Sequence, residues 1–202
     1  MLITTERLTL HAWSEDRFDD LFELAQLPET VRYVGTGEPW SHEYTLAKHR
    51  ATLSHWAEHG FGWFAVSAAP GSFDGVVSLV RRDATESGLG TPAVEMGWWI
   101  APSGWGRGYA TEATAAVRDR AFESGWADRL LAVYEPVNKP SARVVEKLGF
   151  AVHSKFVLDG RVEQRAVLDR REDPQRRARK LIHQSEAIGY TVHTEPHQLP
   201  RE

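Results

Sequence analysis

Hydrophobic and polar positions along the chain follow two different periods, and the changes of period outline the secondary structure. Apolar residues recur at helical spacing between residues 18 and 25, whereas residues 93–100 form a short run of large residues that is typical of a central strand. Strands are predicted at 7–12, 61–68, 75–81, 93–100, 130–134, 150–158 and 161–169, and helices at about 14–25, 41–59, 109–124 and 140–148. The chain therefore predicts a strand meander followed by strands that alternate with helices.

Residues that start and stop helices support these boundaries. Ser14 and Ser41 stand where helix N-caps are expected, and Gly60 stands where the second helix ends. The dipeptide at 159–160, Asp-Gly, favours a tight hairpin between the last two strands. Hairpins produce antiparallel pairs and crossover helices produce parallel pairs. The predicted fold class is therefore α/β (α+β), with a mixed sheet of about six to seven strands and flanking helices.

Composition and charge narrow the class of protein. The 202 residues are 42% apolar and 26% charged, which is ordinary for a soluble globular protein. A formal net charge of −4 argues against non-specific binding to nucleic acid, and no apolar run approaches the roughly 18 residues that a membrane span needs. The N-terminal segment is short and polar for a signal peptide. We therefore expect a cytoplasmic protein with neither a nucleic-acid nor a membrane partner.

The segment 105–113, Trp-Gly-Arg-Gly-Tyr-Ala-Thr-Glu-Ala, follows a predicted strand and begins a predicted helix. A helix N-terminus leaves backbone N–H groups without intrahelical partners, at the positive end of the helix dipole. Gly106 and Gly108 remove the side chains that would keep a phosphate away from this backbone. The segment is therefore a candidate anion site, although a plain turn between strand and helix explains a bare Gly-x-Gly equally well.

Three segments in this order resemble the GNAT superfamily of N-acetyltransferases, and in particular its RimJ/RimL-like branch, which modifies protein N-termini and small amines. They are the strand at 94–100, the glycine-rich segment at 105–113 and the stretch 138–150, Asn-Lys-Pro-Ser-Ala-Arg-Val-Val-Glu-Lys-Leu-Gly-Phe. The resemblance extends over about residues 3–170. It implies an acetyltransferase domain at 1–172, and it leaves a tail at 173–202 that we expect to be part helical.

The resemblance implies a coenzyme A site at the glycine-rich segment. The family pattern [Q/R]-x-x-G-x-[G/A] falls on Trp105, Gly108 and Ala110, where Trp105 departs from Gln or Arg as it does in the RimJ/RimL branch. The residues whose backbone would hold the diphosphate are Gly106, Arg107, Gly108, Tyr109, Ala110 and Thr111. The side chain of Arg107 adds a positive charge. Acetyl-CoA is thus expected as the co-substrate, and no metal is expected.

The rest of the cofactor is expected beside the central strand. The resemblance implies that the pantetheine arm pairs with this strand near Trp99 and Ile100, in a splay between strands 93–100 and 130–134. Asn138 matches the family's asparagine that bonds the arm. The residues alone also allow Asn138 to be a helix cap, and both roles are compatible.

Two side chains are candidates for the proton transfers. Glu95 resembles the family's occasional catalytic base, and the alternative is a carboxylate paired with an arginine or solvated. Ser141 resembles the serine that relatives place near the sulfur, and the alternative is a hydroxyl that bonds the first turn of its helix. Many relatives have a tyrosine acid where this chain has Val145. Tyr134 is a weaker candidate acid, and a backbone N–H near Trp99 is expected to meet the developing oxyanion.

The remaining histidine and aromatic residues indicate no second function. His55 and His59 have i, i+4 spacing, but no third ligand is near in sequence, so no metal site is expected. Trp40, Tyr44 and Trp56 lie where relatives cover the acceptor, and the alternative role for these aromatic residues is the core.

The sequence therefore predicts an N-acetyltransferase that passes the acetyl group of acetyl-CoA to a primary amine. The acceptor is a protein N-terminus or a small molecule, and direct attack in a ternary complex is expected because the chain has no cysteine to form an acyl-enzyme. One alternative is a catalytically degenerate sensor or assembly module that binds acyl-CoA. Another is a transferase for a different donor such as succinyl-CoA, which the basic residues Arg81 and Arg82 suit. A homodimer is possible for such a protein.

Overall fold

Eight strands form one mixed sheet in the computed structural model, which describes residues 1–170. The strands are β1 (Leu2–Thr4), β2 (Thr9–Ala12), β3 (Phe64–Ser67), β4 (Gly75–Arg82), β5 (Ala93–Ile100), β6 (Arg129–Tyr134), β7 (Ala151–Leu158) and β8 (Arg161–Asp169). Their order across the sheet is β1-β2-β3-β4-β5-β6-β8-β7. Neighbouring strands are antiparallel except β5 and β6, which are parallel. The mixed sheet is confirmed, and the expected strand number of six to seven is wrong.

Five α-helices accompany the sheet within residues 1–170: α1 (Phe18–Ala25), α2 (Pro28–Val31), α3 (His42–His59), α4 (Tyr109–Glu123) and α5 (Lys139–Lys147). The predicted ends of α3 are confirmed, because Ser41 Oγ accepts from the Tyr44 N–H and Gly60 closes the helix at a φ of +70°. None of the described helices has the length and apolar character that crossing a membrane requires.

Two short elements and one cap differ from the prediction. Strand β1 has only three residues and buries Ile3 alone, so it shows no usable alternation, and α2 is a single turn of four residues. Ser14 does not cap a helix: its hydroxyl donates to Asp16 Oδ1 at 2.5 Å, and the 3-10 turn Glu15–Arg17 separates it from α1. Local hydrogen bonding by Ser and Asp competes with capping in this way.

The sheet has two differently covered sides, which we name after their helices. The α4 face packs against α4 and α5 and carries the larger core, which includes Met96, Leu130 and Leu168. The α1 face packs against α1 and α2, with Ala65 and Val76 beneath them. Because side chains alternate along a strand, the odd-numbered residues of β5, including Glu95 and Trp99, lie on the α1 face. The predicted tail at 173–202 lies outside the described residues, and the domain limit at 172 stays a prediction.

Candidate active site

The two parallel strands in the middle of the sheet stop pairing halfway along β5. The ladder between β5 and β6 contains only the pairs Val94–Leu130 and Glu95–Leu131. On their outer sides β5 remains paired with β4 as far as Ile100, and β6 with β8 as far as Tyr134. The C-terminal halves of β5 and β6 therefore leave an opening in the sheet, here called the gap. The splay expected between these strands is present.

The ladder decides which backbone groups of β5 face the gap. The Ala101 N–H donates to the Asp74 carbonyl at 2.9 Å, which continues the β4–β5 register in which Trp99 opposes Val76. Since backbone groups of successive strand residues point to alternate neighbours, those of Trp99 point to β4. Those of Trp98 and Ile100 point to the gap. The cofactor contacts expected near Trp99 and Ile100 stay a prediction, and the backbone groups that face the gap are those of Trp98 and Ile100.

Trp105 is attached to the end of β5. Its indole Nε1 donates to the Ile100 carbonyl at 2.6 Å, and 51% of the residue stays exposed. Trp105 therefore satisfies the Ile100 carbonyl at the end of the gap, and its apolar ring stays at the surface. This contact gives a structural reason for the departure from Gln or Arg.

The glycine-rich segment turns directly into α4. Gly106 and Gly108 have φ values of +73° and +81°, a region that favours glycine, and Gly108 is the N-cap residue of the helix. A Cβ at Gly108 would lie 3.3 Å from Arg7 Nη2. The turn therefore depends on glycine at 108 for its backbone conformation and has little room for a side chain.

Six consecutive backbone N–H groups, from Gly106 to Thr111, meet no acceptor within residues 1–170. The first helical hydrogen bond begins one residue later, where the Glu112 N–H donates to the Gly108 carbonyl at 3.0 Å. Unmatched N–H groups at a helix N-terminus carry partial positive charge and bind anions. All six residues predicted for the diphosphate thus contribute to one contiguous row of donors.

An ion pair ties this row to the first hairpin. Arg7 Nε donates to Glu112 Oε2 at 2.7 Å, and Arg7 Nη1 donates to the Arg107 carbonyl at 2.8 Å. The guanidinium groups of Arg7 and Arg107 both lie over the Tyr109 ring, at 5.4 and 5.0 Å from its centroid. Burial raises the pKa of Glu112, but hydrogen bonds from Thr5 and Arg7 outweigh it and hold the pKa below its usual value. Arg7 is a positioning residue that the sequence did not reveal.

Asn138 and Ser141 meet at the start of α5. Asn138 Oδ1 accepts from the Ser141 N–H at 3.2 Å, so the helix-cap role is confirmed. Among the described residues, the Asn138 amide nitrogen and the Ser141 hydroxyl have no hydrogen-bond partner. The alternative role of Ser141, a hydroxyl bonded to its own helix, is therefore not what the structure contains. Val145 lies in the core with 3% exposure, and Tyr134 Oη accepts from Gln164 at 2.6 Å.

Glu95 lies where pairing between β5 and β6 ends, on the α1 face. Its Oε2 accepts from Arg82 Nε at 2.8 Å, and both side chains are about one-third exposed. The arginine-paired arrangement that the sequence left open is thus the one found. The role of Glu95 as a base stays a prediction.

Aromatic rings pack behind β5 on the same face. Trp40 contacts Trp99 and Tyr44 with ring centroids 4.8 and 5.0 Å apart, and only 7% of Trp40 is exposed. Trp56 is partly buried and donates from Nε1 to the Trp63 carbonyl. Trp40 and Trp56 therefore belong to the core, while Tyr44 is 43% exposed and lies at the surface.

His55 has a structural role. Its Nδ1 contacts the Phe61 carbonyl at 2.8 Å, and its Nε2 accepts from the Arg81 N–H at 3.0 Å. Burial holds the pKa of His55 below its usual value. Both ring nitrogens are thus engaged with backbone groups of the sheet and its approach loop.

Four charged residues that were not predicted lie on the α1 face beyond the gap: Glu135, Arg161, Glu163 and Arg165. Glu135 follows β6, is 8% exposed, and forms an ion pair with Arg161 Nη2. A usable signal was present in the sequence, because charges at 161, 163 and 165 recur with the period of a strand face. Burial raises the pKa of Glu163, and the negative charge of Glu135 raises it further against the effect of Arg161.

Comparisons with known proteins agree with this geometry. The family model described as an acetyltransferase (GNAT) domain matches residues 7–151. The uncharacterised protein YkkB of Bacillus subtilis (strain 168) is 34% identical over 95 residues, which cover 46% of this chain and 53% of that protein. The chain thus spans about half the length of this curated relative.

Solved structures share the fold. An acetyltransferase of Agrobacterium tumefaciens str. C58 has a TM-score of 0.69 and 25% identity, covering 83% of this chain and 94% of its own. RimL, a ribosomal L7/L12 alpha-N-protein acetyltransferase in complex with coenzyme A, has a TM-score of 0.69 and 16% identity, with coverages of 84% and 98%. At 16% identity the likeness to RimL concerns the fold alone.

Proposed function

Because the chain belongs to the acetyltransferase (GNAT) domain family, we propose that it transfers the acetyl group of acetyl-CoA to a primary amine. The single observation that carries this proposal is the row of six unmatched N–H groups, Gly106 to Thr111, beside the gap between β5 and β6. An anion site and an open sheet edge next to each other suit a molecule that has a diphosphate at one end and an amide-containing arm at the other. The transfer we propose is a direct attack in a ternary complex.

The diphosphate fits the row of donors. Two negatively charged phosphates match successive N–H groups at the positive end of the α4 dipole. Arg107 is exposed next to this row and supplies a full positive charge. The positive φ at Gly106 and Gly108 allows the backbone itself to approach the phosphates.

The arm fits the gap for a complementary reason. Strand β5 offers the backbone groups of Trp98 and the Ile100 N–H, which have no strand partner on the side of the gap, and an extended amide-containing chain supplies such hydrogen bonds. The Ile100 carbonyl already accepts from the Trp105 indole. The amide nitrogen of Asn138 supplies a further donor from the other side. These groups support the proposed cofactor residues Trp99 and Ile100 in a corrected form, with Trp98 in place of Trp99.

The chemistry then requires a free amine. An amine with a pKa near 10.4 is mostly protonated at neutral pH, so exposing its lone pair costs about 4 kcal/mol. An α-amino group with a pKa near 7.7 costs only about 0.4 kcal/mol by the same arithmetic. The protein must therefore provide a proton acceptor for a lysine-like amine, whereas a protein N-terminus needs little help.

Two groups beside the gap suit the other charges of the reaction. The Trp98 N–H points to the gap and is the proposed donor to the developing oxyanion. Ser141 has a hydroxyl without a partner among the described residues, and it is the proposed donor to the departing thiolate. Glu95 was the candidate base from the sequence, but its Oε2 is already engaged by Arg82.

The acceptor class that we propose is a protein N-terminus or a small primary amine, as in the RimJ/RimL-like branch. RimL, which shares the fold, is named for an acceptor of this kind, a ribosomal protein. A second function is favoured by one observation: the position that carries a tyrosine acid in many relatives is the buried Val145. That substitution suits a module that binds acyl-CoA without transferring the acyl group. Arg82 gives no comparable support to succinyl-CoA, since its charge is paired with Glu95.

Thermal-shift and turnover measurements separate these functions. Purified protein is incubated with CoA, acetyl-CoA and succinyl-CoA, and then with a panel of n-butylamine, 2-phenylethylamine and the peptide Ser-Ala-Ala amide. The proposal predicts a raised Tm with CoA and release of free thiol with acetyl-CoA plus at least one amine. A raised Tm without thiol release indicates the binding module. An unchanged Tm with all three coenzyme A compounds contradicts the proposed function.

A further inference from the structure

We propose that Glu163 is the carboxylate that receives the ammonium group of the acceptor and takes its proton before the amine attacks. This inference rests on the proposed function and names a further catalytic residue for it. The acceptor class that follows is a cationic primary amine that reaches the gap from the α1 face.

The register of the sheet brings Glu163 close to the gap. Tyr134 pairs with Gln164 across β6 and β8, so the next residue on β6, Glu135, comes alongside Glu163. Tyr134 packs against the core of the α4 face and its hydroxyl bonds Gln164, which places the neighbouring residues Glu135 and Glu163 on the α1 face. Glu163 is therefore separated from the mouth of the gap by β6 alone, about 5 Å from Glu135.

The four charged side chains at this position are not paired one to one. Glu135 and Glu163 carry two negative charges on adjacent strands, an arrangement that is unfavourable for a sheet. Arg161 pairs with Glu135, and Glu163 has no hydrogen bond or ion pair within residues 1–170. The other nearby cation, Arg165, lies over the Phe156 ring at 3.6 Å and donates to the Ser87 carbonyl at 3.1 Å. Among the described residues Glu163 is therefore a carboxylate without a direct cationic partner, and the ammonium group of an acceptor supplies one.

The same two arginines hold loops on either side of Glu163. Arg161 donates to the carbonyls of Arg32 and Gly35 at 2.7 and 3.1 Å, which attaches the loop after α2. Arg165 attaches the loop between β4 and β5 through Ser87. The remaining strand beside Glu163, β7, presents the uncharged Phe156 opposite it. Glu163 thus lies, partly buried, between two loops that these arginines attach to the sheet.

Glu163 and Glu95 share the α1 face but differ in what occupies them. The Glu95 carboxylate is held by Arg82 at 2.8 Å, so one of its oxygens is already occupied. Glu163 has no such partner within the described residues, and partial burial beside Glu135 favours its protonated form, which suits a base. Of the two carboxylates, Glu163 is therefore the one that is open to an incoming ammonium group.

The proton balance of the step is simple. The ammonium N–H bond breaks, its proton passes to a Glu163 oxygen directly or through one water, and the nitrogen keeps the electron pair. That pair forms the new C–N bond to the thioester carbonyl, and the C–S bond then breaks with its electrons on sulfur. The nitrogen loses its second proton as the amide forms, and that proton passes, through water or the Ser141 hydroxyl, to the departing thiolate. No oxidant or further reactant is needed.

Kinetics of Glu163→Gln with acetyl-CoA and n-butylamine across pH test the inference. We expect kcat/KM to fall by about 100-fold or more, which is the usual contribution of a general base. The rise of kcat/KM with pH that follows loss of the Glu163 proton, here called the rising limb, should disappear. The affinity for CoA should stay at the wild-type value. Glu163→Asp should restore part of the rate. Glu23→Gln, which removes a carboxylate of α1, should leave both the rate and the profile unchanged.

A binding measurement without acyl-CoA keeps the inference separate from the proposed function. NMR titration with n-butylammonium chloride should show tighter binding than titration with the neutral n-butanol, and Glu163→Gln should abolish that difference. Wild-type protein that transfers acetyl groups, together with a Glu163→Gln variant that keeps the rate and the pH limb, overturns the inference and leaves the proposed function intact. The inference is likewise overturned if Glu95→Gln, and not Glu163→Gln, removes the limb. Wild-type protein without transfer contradicts the proposed function, and the titration then still decides whether Glu163 receives an ammonium group.

Discussion

The proposed cofactor side and the proposed acceptor side of this protein are built in opposite ways. The cofactor side is one continuous segment, in which six unmatched N–H groups follow each other from Gly106 to Thr111. The acceptor side is assembled from separate segments, because Glu135 follows β6, Glu163 lies on β8, and the loop after α2 is attached through Arg161. A site built from one continuous segment takes its hydrogen-bond donors from the backbone of that segment. An assembled face depends on strand order and on ion pairs between distant residues.

This difference explains which parts of the site are visible in the sequence. The glycine positions and the helix start near 109 are local signals, and they predict the donor row by themselves. The acceptor face requires the knowledge that β8, and not β7, lies next to β6. The sequence indicates the hairpin at 151–169 but not which of its strands pairs inward. Each of four substitutions should therefore alter either the cofactor side or the acceptor side and leave the other unchanged.

Gly108→Glu should have the largest effect, on the cofactor side alone. The new side chain meets a backbone with a φ of +81° and adds a negative charge where the diphosphate binds. Repulsion of several kcal/mol corresponds to at least about 100-fold weaker CoA binding, measured by calorimetry. Gly125→Glu is the matched control, since Gly125 has a φ of +71° just beyond the other end of α4. Equal loss of CoA affinity in both variants would mean that backbone strain, and not the donor row, controls binding.

Arg161→Ala should damage the acceptor side and spare CoA binding. The change leaves the buried Glu135 without its ion-pair partner and releases the carbonyls of Arg32 and Gly35. A loss of about 2–3 kcal/mol is expected for such a partly buried pair, a Tm decrease of roughly 5–10 °C. At temperatures where the variant is folded, KM for the amine should rise while the Kd for CoA does not. A parallel loss of CoA affinity would show that the two sides are not separable.

Arg7→Ala should have a moderate effect on the cofactor side. Arg7 supports the donor row through Glu112 and the Arg107 carbonyl, and a half-exposed ion pair contributes about 1 kcal/mol or less, a Tm decrease of roughly 2–4 °C. Because the pKa of Glu112 is lowered in the folded protein, its contribution is present at neutral pH and is lost as the pH falls through the folded value. Thermal scans should therefore show the full Tm difference between wild-type protein and Arg7→Ala at pH 7. The Tm difference should be smaller below the ordinary glutamate range near pH 4. A difference that does not depend on pH would assign it to packing on Tyr109.

Glu163→Gln should have the smallest effect on stability, and in the opposite direction. The pKa of Glu163 is raised in the folded protein, so the ionised carboxylate reduces stability as the pH rises through the folded value. The glutamine removes that cost, and we expect a Tm increase of about 1–3 °C at pH 7 that vanishes below the ordinary glutamate range. Calorimetric scans at both pH values measure it. A decrease at pH 7 would contradict the destabilising effect that burial beside Glu135 is expected to have on the ionised Glu163.

The parts of the fold that the sequence predicts are those with strong local signals. Ser41 and Gly60 bracket α3 as expected, and β5 and β8 have their predicted bounds. The missed strand β1 has only three residues, and its pairing with β2 comes from the register and not from alternation. Ser14 follows the cap pattern, but its hydroxyl bonds Asp16 instead. Short elements and competing side-chain bonds are decided by tertiary context, which no local pattern contains.

The candidate site residues also differ in whether their contacts are local in sequence or depend on strand register. Asn138 and Ser141 are local to the start of α5, and the cap between them is the predicted one. Glu95 was placed on the correct strand, yet its partner Arg82 lies on β4, where only the register brings the two together. The backbone that faces the gap belongs to Trp98 and not to Trp99, because the direction of a backbone group depends on the ladder.

The central claim, acetyl transfer to an amine, is tested most directly by the stoichiometry of one reaction. Wild-type protein is mixed with acetyl-CoA carrying an isotope label in the acetyl group and with the amine panel, and free thiol and labelled amide are measured together. The account predicts equal amounts of both products, and neither product from a Gly108→Glu sample. Thiol released without labelled amide, or CoA bound without either product, would contradict it.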